Sequence, residues 1–324
     1  MVACLHMVAC LHMVDCLHNN NDLHCKKKSI FFAFLKLKIF SITMSRYHTM
    51  QFLKLRPFIQ DNIDKVEWGG LSNNPNAMHI LEANPDKIDW SCLSQNPNAI
   101  HILEANPDKI NWTCLSGNPN AIKLLEANLD KIDWGRLSYN PNAIKLLEDN
   151  PDKINWSYLS RNPNALQLLE QNQDNIDWGW LSQNPNAIHL LEKNPDKIKW
   201  DMLSGNPNAI RLLKQNPDKI NWRWLSSNPN AMHILEDNPD KIIWWSLSHN
   251  PNAIHILEAN PDKINWSWLS NNPAIFEYDY ESMKERMYGS GLCEELMANR
   301  FHPSNMSKFG GWGFEEMMPD GFVH

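Results

Sequence analysis

Cysteine and histidine crowd the start of the chain: Cys4, His6, Cys10, His12, Cys16, His18, His24 and Cys25. Thiolates and imidazoles bind zinc and copper, so metal binding is the first chemistry to test. The spacing speaks against it. Met1–His6 and Met7–His12 are the same hexamer, and Met13–His18 repeats it with Asp15 as the one change. A Cys-x-His every six residues lacks zinc-finger spacing and has no core to hold it. A second histidine set, His79, His101, His189, His233 and His255, recurs at one place in a longer period, with Lys123, Lys145, Gln167 and Arg211 between. Histidines stacked roughly 10 Å apart make poor joint ligands and read as a solvated face. The sequence contains no glycine-rich phosphate loop, nucleophile elbow or zinc-protease motif. The expectation is no metal, no cofactor, no small-molecule substrate and no enzyme.

What the chain repeats is a frame. Trp68, Trp90, Trp112, Trp134, Trp156, Trp178, Trp200, Trp222, Trp244 and Trp266 stand 22 residues apart without a slip. A fixed short period means one unit copied and stacked, each copy burying its apolar face on the next. These ten indoles are the expected core. In Asn96 to Ser116, each of two Asn-Pro pairs ends what precedes it and can open a helix. Asn96-Pro97 is expected to open a helix through Ala105, with Ala99, Ile100, Ile102 and Leu103 on one face. Asp89, Asn111, Asp133, Asn155, Asp177, Asn221 and Asn265 precede a periodic Trp and are expected to cap a second short helix, Trp-x-x-Leu-Ser. Isolated helices need about 12–15 residues, so both depend on their neighbours.

The fold reading is all-α: a right-handed-type α-solenoid of ten 22-residue repeats, each of two short helices, with a helical C-terminal cap. Stacked in the open, it would run on the order of 100 Å. The alternative is a leucine-rich-repeat-like β/α solenoid with Ile110-x-Trp112 as a strand. The expected divisions are a low-complexity tail over 1–49, the solenoid over 50–273 and the cap and tail over 274–324. Phe276 through Met287 is expected to form one helix of the cap and Leu292 to Phe301 another. The hexamers leave Met1, Met44 and Met50 open as the start.

Charge narrows the partners. Residues 61–273 carry 18 Lys/Arg against 26 Asp/Glu, net −8. That disfavours nucleic acid, which needs a cationic surface. The apolar run from Ile30 to Ile42 contains Lys36 and Lys38 and falls short of the roughly 20 residues of a spanning helix, so no membrane association is expected. Cys92 and Cys114 hold the same place in successive repeats and are expected as reduced thiols. Asn111-Trp112-Thr113 and its equivalents match a glycosylation sequon only because the capping Asn recurs.

The unit Asn-Pro-Asn-Ala-Ile-x-Leu-Leu-Glu-x-Asn-Pro-Asp-Lys-Ile-x-Trp resembles the short repeat of many proteins of giant DNA viruses of protists. The tail from Pro273 to Tyr280, with His302-Pro303 to Phe309, is similar to the carboxyl-terminal part of those proteins. The resemblance covers roughly residues 50–318. It implies a viral origin, with action in the host cytoplasm or presence in the virion, and assigns no activity.

Function is sought in the positions that vary. Two residues past each Trp stand Gly70, Cys92, Cys114, Arg136, Tyr158, Trp180, Met202, Trp224, Ser246 and Trp268. Packed interiors feel single methylenes, so no core position tolerates Gly, Arg and Trp alike. A second variable column follows Leu-Ser and includes Tyr139, Arg161, Gln183 and His249. The candidate partner-binding residues are Arg136, Tyr158, Trp180, Met202, Trp224, Trp268, Tyr139 and Arg161. The expected activity is that of a scaffold or adaptor for protein partners. The alternatives are a structural component of the virion or its assembly sites, and modular nucleic-acid reading.

Overall fold

The computed structural model describes residues 52–289. Leu55–Glu277 form one compact unit, and the residues on either side belong to a second. The first unit is an all-α repeat array in which two short helices alternate with a 3-10 turn, and two later repeats add a second such turn, Pro229–Ala231 and Pro251–Ala253. In the repeat that starts at Trp90, the Trp helix is Trp90–Gln95, and the Asp89 carboxylate accepts from Cys92 N at 2.9 Å. Asn111, Asp133, Asn155, Asp177, Asn221 and Asn265 cap their Trp helices in the same way, each satisfying an amide that has no partner inside the helix.

The next segment corrects the expected helix start. Asn96 ends the Trp helix in extended backbone, because the following proline disfavours the helical region. Its Oδ1 accepts from Asn98 N at 3.0 Å, an Asx turn. The second helix therefore begins only at Ile100 and runs to Ala105. Asn106 closes it by donating its amide to Ile102 O at 2.9 Å. Pro107–Lys109 form the 3-10 turn, which Leu129 and Gln173 sustain where proline is missing. Ile110 then leads, extended, to the next capping residue. No strand forms there: the two strands among the described residues lie at the array ends.

The core differs from the expected one. Leu93, Ala99 and Leu103 are fully buried, and so are their equivalents from Leu71 to Leu269. Each such leucine stabilises the fold by roughly 1.5–3 kcal/mol. Two polar columns are buried as deeply, the serines at Ser94 and the asparagines at Asn96. Ser94 Oγ donates to Trp90 O at 2.7 Å and accepts from Asn111 N, in the next repeat, at 3.0 Å. Asn96 Nδ2 donates to Ser72 O and Asn74 O of the preceding repeat, both at 3.0 Å. The ten tryptophans, by contrast, are half-buried rather than core. Each opens its helix at the edge of the stack, where one face stays open. Nine of them lie under the lysine of their own repeat's 3-10 turn, with Nζ 4.3–5.4 Å from the ring centroid. The tenth, Trp156, stands where Asn175 replaces that lysine. The indoles are platforms for cation–π contacts that tie the two ends of each repeat together.

The array does not extend in a line: it closes into a ring. Every bond that joins one repeat to the next also joins the last to the first. Asn74 Nδ2 donates to Ser270 O at 3.1 Å and to Asn272 O at 3.0 Å. Glu67 N donates to Ser270 Oγ at 2.9 Å, and within the closing repeat itself Lys65 lies 5.4 Å over Trp266. The closing repeat is split. Its Trp helix, Trp266–Ser270, comes from one end of the chain. Its second helix, Pro57–Gln60, and 3-10 turn, Ile63–Lys65, come from the other. Ile59 fills the buried place that leucines such as Leu81 fill elsewhere. The seam is tight, since a Cβ on Gly70 would stand 2.6 Å from Ser270 Cβ.

A two-stranded sheet joins the ends. Strands β1, Leu53–Leu55, and β2, Phe276–Tyr278, run antiparallel, with Arg56 N donating to Ile275 O at 2.9 Å and Asp279 N to Phe52 O at 2.7 Å. The expected helix from Phe276 is thus a strand followed by a helix, Tyr280–Gly289. Residues 276–278 are drawn into the ladder by the partner strand. Asp279 opens the helix, and the Ser282 hydroxyl that donates to it at 2.7 Å holds its carboxyl below the usual range. The expected Leu292–Phe301 helix and the early Cys/His tract lie outside the described residues.

Candidate functional site

Curvature decides which columns meet. Trp helices of adjacent repeats pack directly on one another, whereas the second helices stand further apart. In a closed ring the tighter spacing belongs to the inner rim. The variable columns ride on the Trp helices and on the turns that follow them. They line a cavity of about 580 Å³ that spans repeats from Tyr139 to Trp268. Residues six repeats apart share one space because the array bends around it.

Four of the sequence-derived candidates, Tyr139, Arg161, Trp224 and Trp268, lie on that wall. Trp180, Tyr158 and Met202 stand beside it rather than on it. Arg161 lies 4.9 Å over the Tyr139 ring and 5.4 Å over Trp180, and Tyr158 packs on Trp180 with centroids 6.4 Å apart. Met202 Sδ accepts from Gln183 Nε2 at 3.4 Å. Arg136 is exposed, and its backbone N–H is held by the Asp133 cap at 2.9 Å.

The structure adds Arg223 and Trp245, one place after the periodic Trp. Arg223 lies 4.8 Å over Trp245 and 5.9 Å over Trp224. Trp245 meets Trp268 at 6.4 Å, and His249 meets Trp268 edge-on at 5.5 Å. That column also varies, through Gly69, Ser91, Gly135, Asp201, Arg223 and Trp245, and this variation is the signal that could have found it. Burial lowers the pKa of His249, favouring the neutral ring.

The electrostatics of the wall oppose those of the array. Among the described residues no Asp or Glu lines the cavity, while Arg161 and Arg223 do. Neither guanidinium has a carboxylate or hydrogen-bond partner among the described residues. Pro163, Pro185 and Pro207 also line it. Gln183 is 92% buried at this wall and its Oε1 accepts no hydrogen bond.

Away from the cavity, polar pairs tie repeats together on the second helices. His101, His189 and His255 meet Glu82, Glu170 and Glu236 at 3.0, 3.2 and 3.3 Å, and Arg211 pairs with Glu192. Cys92 and Cys114 are free thiols. Burial, with Asp89 beside it, pushes the Cys92 thiol up to about 11. No helix among the described residues is long and apolar enough to cross a membrane.

The fold and site thus define a class, a closed α-helical repeat ring with a variable inner wall. No family model, curated protein or solved structure matches the chain.

Proposed function

We propose that the ring is a non-enzymatic scaffold that grips a protein partner on its inner wall. One observation carries the reading. The recurring Asn, Ser, Leu, Ala and Lys side chains are spent on holding each repeat together and to its neighbour, and the columns free to change converge on one concave space. A preformed wall of Trp, Tyr and Arg supplies the residue types that dominate binding at protein interfaces, and a rigid ring avoids ordering costs on association. Closure also removes the end faces by which an open array could grow, which favours an adaptor over a filament-forming spacer. The resemblance to repeat proteins of giant viruses supports a host or viral protein as the partner, met in the host cytoplasm or the virion.

The test is affinity capture from infected cells, followed by titration of the purified partner against the purified ring. Trp224→Ala and Trp268→Ala are each expected to weaken binding about tenfold or more, while Lys123→Ala on the second helix leaves it unchanged. Equal affinity for all three variants would remove the inner wall from the interaction.

A further inference from the structure

The inner wall has a chemistry of its own. Arg161 lies against Tyr139 and Trp180, and Arg223 against Trp224 and Trp245. Both guanidinium groups meet aromatic rings, and neither has a carboxylate partner among the described residues. A guanidinium fits a carboxylate with two parallel hydrogen bonds. Trp245 and Trp268 keep 39% and 45% of their surface exposed, enough to receive a flat apolar group.

Resting on the scaffold reading, we infer that this cavity takes an extended acidic peptide segment bearing an aromatic side chain. Its carboxylates sit on Arg161 and Arg223, and its aromatic ring lies against Trp245 and Trp268. Charge complementarity selects the occupant, because the described residues of the wall include two cations without a carboxylate partner and no acid. A polyphosphate chain would use the same arginines and aromatic faces. It would also need a basic track along its length, and the surrounding array is net −8. A peptide brings a few local charges and needs no such track.

The full chain is titrated calorimetrically with a random copolymer of glutamate and tyrosine, a copolymer of lysine and tyrosine, and polyuridylate. The glutamate–tyrosine copolymer is expected to bind and the other two to fail. Arg161→Gln and Arg223→Gln each weaken binding about tenfold, the scale of a lost charge-assisted pair. Arg161→Lys, which keeps charge without the fork, falls between wild type and Arg161→Gln. Melting curves matching the wild type establish that the variants fold. Absence of binding by the acidic copolymer, indifference to both Arg→Gln changes, or preference for polyuridylate each overturns the assignment. A captured protein partner that binds with Trp224 dependence, ignores Arg161→Gln and is not displaced by the acidic copolymer would refute the acidic ligand and leave the scaffold standing.

Discussion

Asn162 carries more of this fold than its size indicates. Fully buried, it donates to Ser138 O at 3.0 Å and Asn140 O at 2.9 Å, and accepts from Asn164 N at 3.0 Å. Asn164, two residues on, is exposed and donates once, to Pro141 O at 2.8 Å. An orphaned buried polar group costs about 1–3 kcal/mol. Asn162→Ala is therefore expected to destabilise the protein by about 3 kcal/mol and Asn164→Ala by under about 1 kcal/mol, both read from urea denaturation. Equal effects would mean that the buried ladder contributes nothing special. Sequence reading located this asparagine and the capping work of its oxygen, but missed the clamp made by its amide. A helix cap and a buried cross-repeat clamp both want Asn before Pro, and local pattern does not separate them. The same ambiguity misplaced the tryptophans. A strictly periodic indole signals a fixed contact, and only geometry shows that the contact is a lysine roof with one side open.

Short helices live or fail by their ends. All seven Asx positions expected to cap the Trp helices do so, because the spacing from capping oxygen to free amide is set within one turn and is visible in sequence. Lys199 and Ile243 stand where the cap is missing, and their Trp helices, Trp200–Leu203 and Trp244–Leu247, are the shortest of the set at four residues each. Glu67 also lacks a side-chain cap, yet Trp68–Asn73 reaches six residues. Ile243→Asn is expected to stabilise the protein by about 1 kcal/mol and raise its melting temperature. A lower melting temperature would show that Ile243 is held by packing that outweighs the cap. Strand β2 was misread as helix because its pairing partner lies more than two hundred residues away, beyond the reach of local propensity.

At the scale of the molecule, the sequence announces repetition and conceals curvature. Per-repeat rotation comes from the packing of Trp helices against second helices, and nothing in a 22-residue period encodes it. One trace was there to read: a partial repeat leads the array in at residues 52–68 and another ends it at Asn272-Pro273-Ala274, and the two halves make one whole. Asn74 tests the closure. In an open array it would have no preceding repeat to clamp, and Asn74→Ala would be nearly silent. In the ring it bonds Ser270 O and Asn272 O, so the change is expected to cost about 3 kcal/mol, as at Asn162. A cost below about 1 kcal/mol would mean the seam is open in solution.

A split tenth copy also constrains ancestry. Genes for linear arrays gain or lose units by unequal recombination, and each product is a longer or shorter version of the parent. Here an added or excised copy would leave the two halves out of step around the circle. Descendants should therefore diverge by substitution at the inward-facing positions while inheriting the tally of units unchanged.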